Sequence, residues 1–257
     1  MVLHPLNPPA GQTQKDLIPA WIAIERTQKQ AATEWWLIAQ PDHAALAGDL
    51  ASRISSPEFP ELDPDLLQAI ALHDEGWAQF DGGSAPKLNG QGRPLSFLET
   101  SVPDFVSAWR GSIERAAQVA LMGGIMVSEH FCRIARTRLL SFRDTSGDTR
   151  MIRDFLQGEA ERQARLSRGR RSALEISLLV DVLQFCDLLS LYLCCGSHES
   201  VEFPQPFNGQ TIRLLREAEL CRMEPPLFGQ GTSLAVSARR YPAAREPSVM
   251  SVPILLA

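Results

Sequence analysis

Apolar positions between residues 40 and 195 recur mainly at spacings of three and four, the period of helices with one buried face. His43, Leu46, Ala47, Leu50 and Ile54 share a face of a helix opened by Pro41. Leu66, Ile70, His73 and Trp77 follow on a second helix, which Asp63 caps and Pro64 starts. Pro103 opens a third, to about Val119. Its continuation from Met126 to about Leu140 aligns Val127, His130 and Ile134. Gly123-Gly124, between the two, suits either a break or a close helix crossing. Residues 150–166 read as a strongly charged helix, and Ser167-Arg168-Gly169-Arg170-Arg171 as a solvated basic link. The last helix, Ala173 to Cys195, is apolar almost all round. Its stripe of Val180, Leu183, Asp187, Leu191 and Cys194 contains one carboxylate, and Gly196 stops it.

The ends of the chain read differently. Residues 1–19 carry no periodicity and are expected to form a loose arm. Trp21–Arg26 and Glu34–Ala39, rich in β-branched and aromatic residues, predict a hairpin across the polar stretch Thr27–Thr33. A polar loop runs from Asp81-Gly82-Gly83 to Phe97, and loops of that length often line a site. Beyond Gly196, Thr211–Glu217, Leu220–Met223, Ser233–Arg240 and Val249–Leu256 predict short strands among Pro and Gly. The expected organisation is an arm (1–19), a helical domain with an N-terminal hairpin (20–195) and a C-terminal extension (196–257). The class is mainly α, with a small antiparallel β element from the hairpin and the C-terminal segments.

Composition narrows the function classes. The 257 residues suffice for a sizeable core, and 44% hydrophobic with 21% charged residues is ordinary for a globular chain. A net charge of −5 leaves no electrostatic footprint for nucleic acid or an anionic membrane. The five cysteines are odd in number, form no C-x-x-C pair and follow no leader pattern, so a reduced cytoplasmic setting is expected. The apolar run from Ile176 to Cys195 approaches transmembrane length. Asp181, Gln184 and Asp187 argue for a buried core helix instead, since each buried acid costs ~2.5–3.5 kcal/mol on insertion scales.

The face analysis sends His43, His73 and Asp187 inward, with Asp74 beside His73 and His130 on a further inward face. A carboxylate within so apolar a helix must be paired, protonated or bound to a metal. Two neutral imidazoles and two carboxylates carry a charge of −2, which one divalent cation cancels. Mixed N/O donors suit Zn, Mn, Fe or Ni. The competing reading is a polar cluster in which His–Asp hydrogen bonds satisfy every group without an ion. Glu129 and Asp42 flank the histidines as candidate acceptors for their ring N–H groups. No G-x-x-x-x-G-K loop, G-x-S-x-G elbow or H-E-x-x-H helix is present, so nucleotide-cradling, serine-hydrolase and zincin chemistry lack their usual support.

The order His43 … His73-Asp74 … Asp187 resembles the HD-domain superfamily of metal-dependent phosphohydrolases. The surrounding pattern is more specific: Trp36-Leu37-Ile38-x-Gln40-x-Asp42-His43, His73-Asp74-x-Gly76-Trp77, Gly92-x-Pro94-x-x-Phe97, Ser128-x-His130-Phe131 and Asp187-x-x-Ser190-Leu191. Together these resemble an uncharacterised bacterial domain family related to that superfamily, over about residues 20–195. The resemblance implies an HD-domain-like helical bundle in which His43, His73, Asp74 and Asp187 hold one divalent ion (Mn, Zn, Fe, Ni or Mg). It departs from the superfamily in two places. Between the His-Asp dipeptide and Asp187 there is one further histidine, His130, where binuclear members have more. Glu75-Gly76-Trp77 also stands where many members keep a Lys.

The expected activity is hydrolysis of a phosphoester on a small-molecule substrate. Asp74 would take a proton, His130 would transfer a proton or contact the anion, and Arg133, one turn after His130, would bind phosphate with Arg93 as a second candidate. A metal-dependent oxygenase and a non-catalytic helical domain are the alternatives.

Overall fold

The computed structural model describes residues 1–7, 17–83, 85–166, 173–217, 220–229, 231–243 and 249–256. The chain begins with strands β1 (Val2–Pro5) and β2 (Ile18–Pro19), then helix α1 (Ala20–Gln28), strand β3 (Trp35–Ile38) and helices α2 (Gln40–Arg53) and α3 (Pro64–Ala71). After the short α4 (Ala78–Asp81) come α5 (Val102–Val119), α6 (Leu121–Ser141), α7 (Ser146–Leu166) and α8 (Ala173–Cys194). Strands β4 (Val201–Glu202), β5 (Arg213–Glu217), β6 (Leu220–Glu224), β7 (Thr232–Tyr241) and β8 (Val249–Leu256) follow. The fold is mainly α-helical with a smaller β element, as the apolar periodicity requires.

Helix α8 is the hub. By length and composition it could cross a membrane, but most of its surface is buried within the fold. It packs on α1, α2 and α6, while α7 closes over α5 and α6. Its end is set by Gly196, whose φ of +67° suits a residue without Cβ. The interruption between α5 and α6 falls at Ala120, which is extended, rather than at the glycine pair. Gly123 and Gly124 instead serve a close crossing: an added Cβ would stand 2.5 Å from the Ala69 Cβ of α3 and 2.5 Å from the Ala117 Cβ of α5.

The sheet runs β1-β3-β7-β8-β6-β5-β4-β2 and is antiparallel except at the short β2–β4 and β6–β8 contacts. The four expected C-terminal strands are all present. The N-terminal hairpin is not. Trp21–Arg26 lie within α1, where Ala20, Ala23, Ile24 and Thr27 are buried at helical spacing. β3 pairs instead with Val2–Pro5 from the segment expected to be a loose arm. Gln28 explains the pinning: its amide accepts from Leu3 N at 3.1 Å and donates to Leu3 O at 2.8 Å, satisfying a backbone pair as a neighbouring strand would. The basic link Ser167–Arg171 lies outside the described residues.

Helix α3, which delivers the His73–Asp74 turn, starts as its sequence requires. The Asp63 carboxylate accepts from Leu66 N at 2.8 Å, and Pro64 opens the first turn. Asp63→Ala should lower stability by about 1 kcal/mol. The expected readout is a lower urea midpoint with an unchanged slope; an unchanged midpoint would mean that the cap contributes nothing to α3.

Candidate metal centre

Four elements meet around one buried point. His43 stands in the first turn of α2, His130 in the middle of α6 and Asp187 within α8, while His73 and Asp74 occupy the turn after α3. All five are buried; Asp187, the most accessible, is 8% exposed. The expected single helix from Asp63 to Trp77 ends at Ala71, and a 3-10 turn, Glu75–Trp77, takes over. Leu66, Ile70, His73 and Trp77 nonetheless all remain in the interior.

The departure from the helix brings Gly76 onto α5. Its N–H donates to Ser112 Oγ at 3.0 Å, and an added Cβ would stand 2.0 Å from Ala108 O. Side chain and backbone of α5 thus hold the His73–Asp74 turn in place, and only glycine permits that approach. Trp77 is part of the core, edge-on to Phe80.

His73 and His43 are each held through Nδ1, and His43 Nδ1 also lies 4.0 Å from Asp187 Oδ1. His73 Nδ1 donates to Ile70 O at 2.8 Å, which leaves Nε2 turned inward, 3.4 Å from Asp187 Oδ1 and 3.9 Å from Asp74 Oδ2. His43 Nδ1 lies 3.1 Å from Ser190 Oγ, and its Nε2 lies 2.8 Å from Asp74 Oδ2. His130 Nε2 lies 3.7 Å from Asp187 Oδ2. The three imidazoles meet edge to face, with ring centroids 5.3 Å and 5.5 Å apart. His73 Nε2 and both nitrogens of His130 are buried without a hydrogen-bond partner. Groups so placed are expensive to leave unsatisfied, so the donor set fits a bound cation. Two overlapping ligand triads form, His43–His73–Asp74 and His73–His130–Asp187, each with ligand atoms within 4.8 Å of one another.

The electrostatics show what the metal-free cluster lacks. Burial disfavours a charged His73, but the Asp74 and Asp187 carboxylates outweigh it and raise its pKa to about 9. Burial would also push the Asp187 carboxyl up; the His73 ring 3.4 Å away, and the other imidazoles to a lesser degree, hold it at about 2. Without an ion the site therefore keeps a proton to offset its carboxylates. His130 is different: burial lowers it to about 4, so it is neutral at neutral pH.

Other expected site residues lie elsewhere. The Arg133 guanidinium is committed to α8, bonding Asp181 Oδ1, Gln184 Oε1 at 3.0 Å and Ser177 Oγ at 2.8 Å. Arg93 is tied to Glu99 and to the Gln28 and Pro94 carbonyls. Its loop is anchored by the Leu88–Pro94 bridge and by Phe97 N on Met1 O rather than on the histidines. Glu129 pairs with Arg136 and Gln163, not with an imidazole. Asp42 is half-buried beside His43, and burial raises its carboxyl. His4 belongs to β1, with Nδ1 on Cys194 O, and His198 is exposed. Ser112 and the Ile70 carbonyl, which seat the His73 turn, had no signal in the sequence.

A mainly α-helical protein with a buried histidine–carboxylate centre is the class that fold and site define. The model of the family described as "Protein of unknown function (DUF3891)" matches residues 27–241, most of the chain, and the chain belongs to that family. No curated protein and no solved structure matches it.

Gly76→Ala should force the turn away from α5 and cost on the order of 1–3 kcal/mol, the usual range for overpacking. Thermal melting will show it, and a melting temperature equal to wild type would contradict the close approach. His130 supplies a pH test on chelator-treated protein. Its folded pKa lies below the value near 6.5 of an exposed histidine, so the unfolded chain binds more protons as pH falls from about 6.5 to about 4. Stability should fall across that window, and less steeply in His130→Gln. Parallel curves would show that His130 does not contribute.

Proposed function

We propose that the cluster binds one divalent metal ion through His43, His73, Asp74 and Asp187, and that the protein is a metal-dependent hydrolase of a phosphoester. The observation that carries this reading is the meeting of inward-facing imidazoles and two buried carboxylates in two ligand triads, His43–His73–Asp74 and His73–His130–Asp187, that share His73. The resemblance of the His43 … His73-Asp74 … Asp187 order to the HD-domain superfamily supports the same reaction class. The mixed N/O donors favour Mn, Zn, Fe or Ni over Mg, which prefers oxygen.

When bound, such an ion lowers the pKa of a coordinated water and polarises a phosphoryl oxygen. Asp74 would serve as the proton acceptor. His130, kept neutral by burial, offers an N–H or a lone pair to a substrate oxygen without adding charge to the cluster. Arg133 has no part in this chemistry, since α8 occupies its guanidinium. The five cysteines are buried and, among the described residues, none is in a disulfide, which suits a reducing, cytoplasmic compartment.

A second reading is favoured by the burial of the cluster and by the commitment of both arginines. In it the ion only cross-links α2, the His73 turn and α8, without turnover.

Metal analysis with a phosphoester screen in Mn, Mg, Zn, Ni and Fe separates the two. Wild type should carry one ion per chain and show divalent-dependent turnover, while His73→Ala should lose both. His130→Ala should keep the ion and slow the reaction ~10²–10⁴-fold. A fully loaded wild type with no turnover would leave the cross-link reading, and two bound iron ions would point to oxygen chemistry. Equal turnover in wild type and His73→Ala would mark a contaminant.

A further inference from the structure

The three histidines of the cluster differ in one respect that the ligand distances do not show. His73 and His43 are each held through Nδ1, by the Ile70 carbonyl and by Ser190 Oγ, whereas His130 is held through neither nitrogen. Ser190 is fully buried on α8, three residues after Asp187. Its hydroxyl hydrogen is directed to the Asp187 carbonyl oxygen at 2.8 Å. A serine hydroxyl has one hydrogen, so its oxygen is left to accept from His43 Nδ1–H. That places a hydrogen on His43 Nδ1 and leaves Nε2, 2.8 Å from Asp74 Oδ2, as the nitrogen aimed into the cluster, where a bound metal would take the place of its proton.

We infer that Ser190 is the positioning residue that fixes the tautomer and ring angle of His43, tying this ligand on α2 to the backbone of the Asp187 ligand on α8. The inference rests on the metal-binding reading above. Ser190 touches neither metal nor substrate; it acts through His43. One hydroxyl thereby aligns two ligands on separate helices, so the spacing of α2 and α8 is written into the site. His130 has no such anchor at either ring nitrogen.

The test uses the intact protein and Zn²⁺ as the probe. In wild type loaded with Zn²⁺, ¹⁵N NMR of the imidazoles should show His43 protonated at Nδ1; protonation at Nε2 overturns the inference without any variant. Ser190→Ala should bind Zn²⁺ ~10–100-fold more weakly in competition with a chelator, the usual cost of losing such a partner. Its His43 Nδ1–H signal should exchange faster with solvent. Ser190→Thr, which keeps the hydroxyl, should retain the slow Nδ1–H exchange. Affinity in Ser190→Ala within twofold of wild type, or weakened binding with an unchanged Nδ1–H signal, would refute a positioning role. A wild type that takes up no Zn²⁺ or other divalent ion would instead defeat the metal-binding reading itself.

Discussion

A carboxylate buried in an apolar helix is the constraint on which the rest of this structure depends. Asp187 lies on α8, the central and most hydrophobic helix, and water cannot solvate it there. The fold answers with imidazoles brought from three other elements, His43, His73 and His130. Their proximity, that of His73 above all, holds the acid ionised despite its burial. Asp74 adds a second negative charge, so with neutral histidines the cluster carries −2. Without a metal, a proton retained on His73 offsets half of that charge. A divalent ion would do so more completely, and that charge deficit joins the architecture to the proposed chemistry.

Bringing four elements to one point demands close backbone approaches. Small residues provide them. Gly123 and Gly124 let α6 settle against α3 and α5, and Gly76 lets the His73–Asp74 turn lie on α5. The same turn is held by Ser112 from the side and by the Ile70 carbonyl from within its own chain. Packing and polar satisfaction therefore reinforce each other here: the glycines permit the approach that the hydrogen bonds then orient.

The surroundings of the cluster bear on how it would be used. Guanidinium groups that sequence proximity suggests for phosphate binding are spent on structure, Arg133 pinning α6 to α8 and Arg93 closing its own loop.

Much of this was legible in the sequence, because helical periodicity records which face is buried. The inward faces of His43, His73, His130 and Asp187 follow from their apolar neighbours at three- and four-residue spacings, and the C-terminal strands from short runs between Pro and Gly. Two local readings failed where a long-range partner decided the outcome. Trp21–Arg26 have strand-like side chains, yet Ala20, Ala23 and Ile24 bury a helical face against α8, and tertiary burial outweighs propensity. Val2–Pro5 look unstructured alone because a four-residue strand gains its stability from its neighbours, here β3 and the side chain of Gln28. Residue type and spacing determined which groups turn inward. Only the tertiary structure decided which of them meet, for a hydrogen bond such as Ser190 to His43, or Arg133 to Asp181, depends on the packing of two distant helices to within an ångström, and no local pattern encodes that distance.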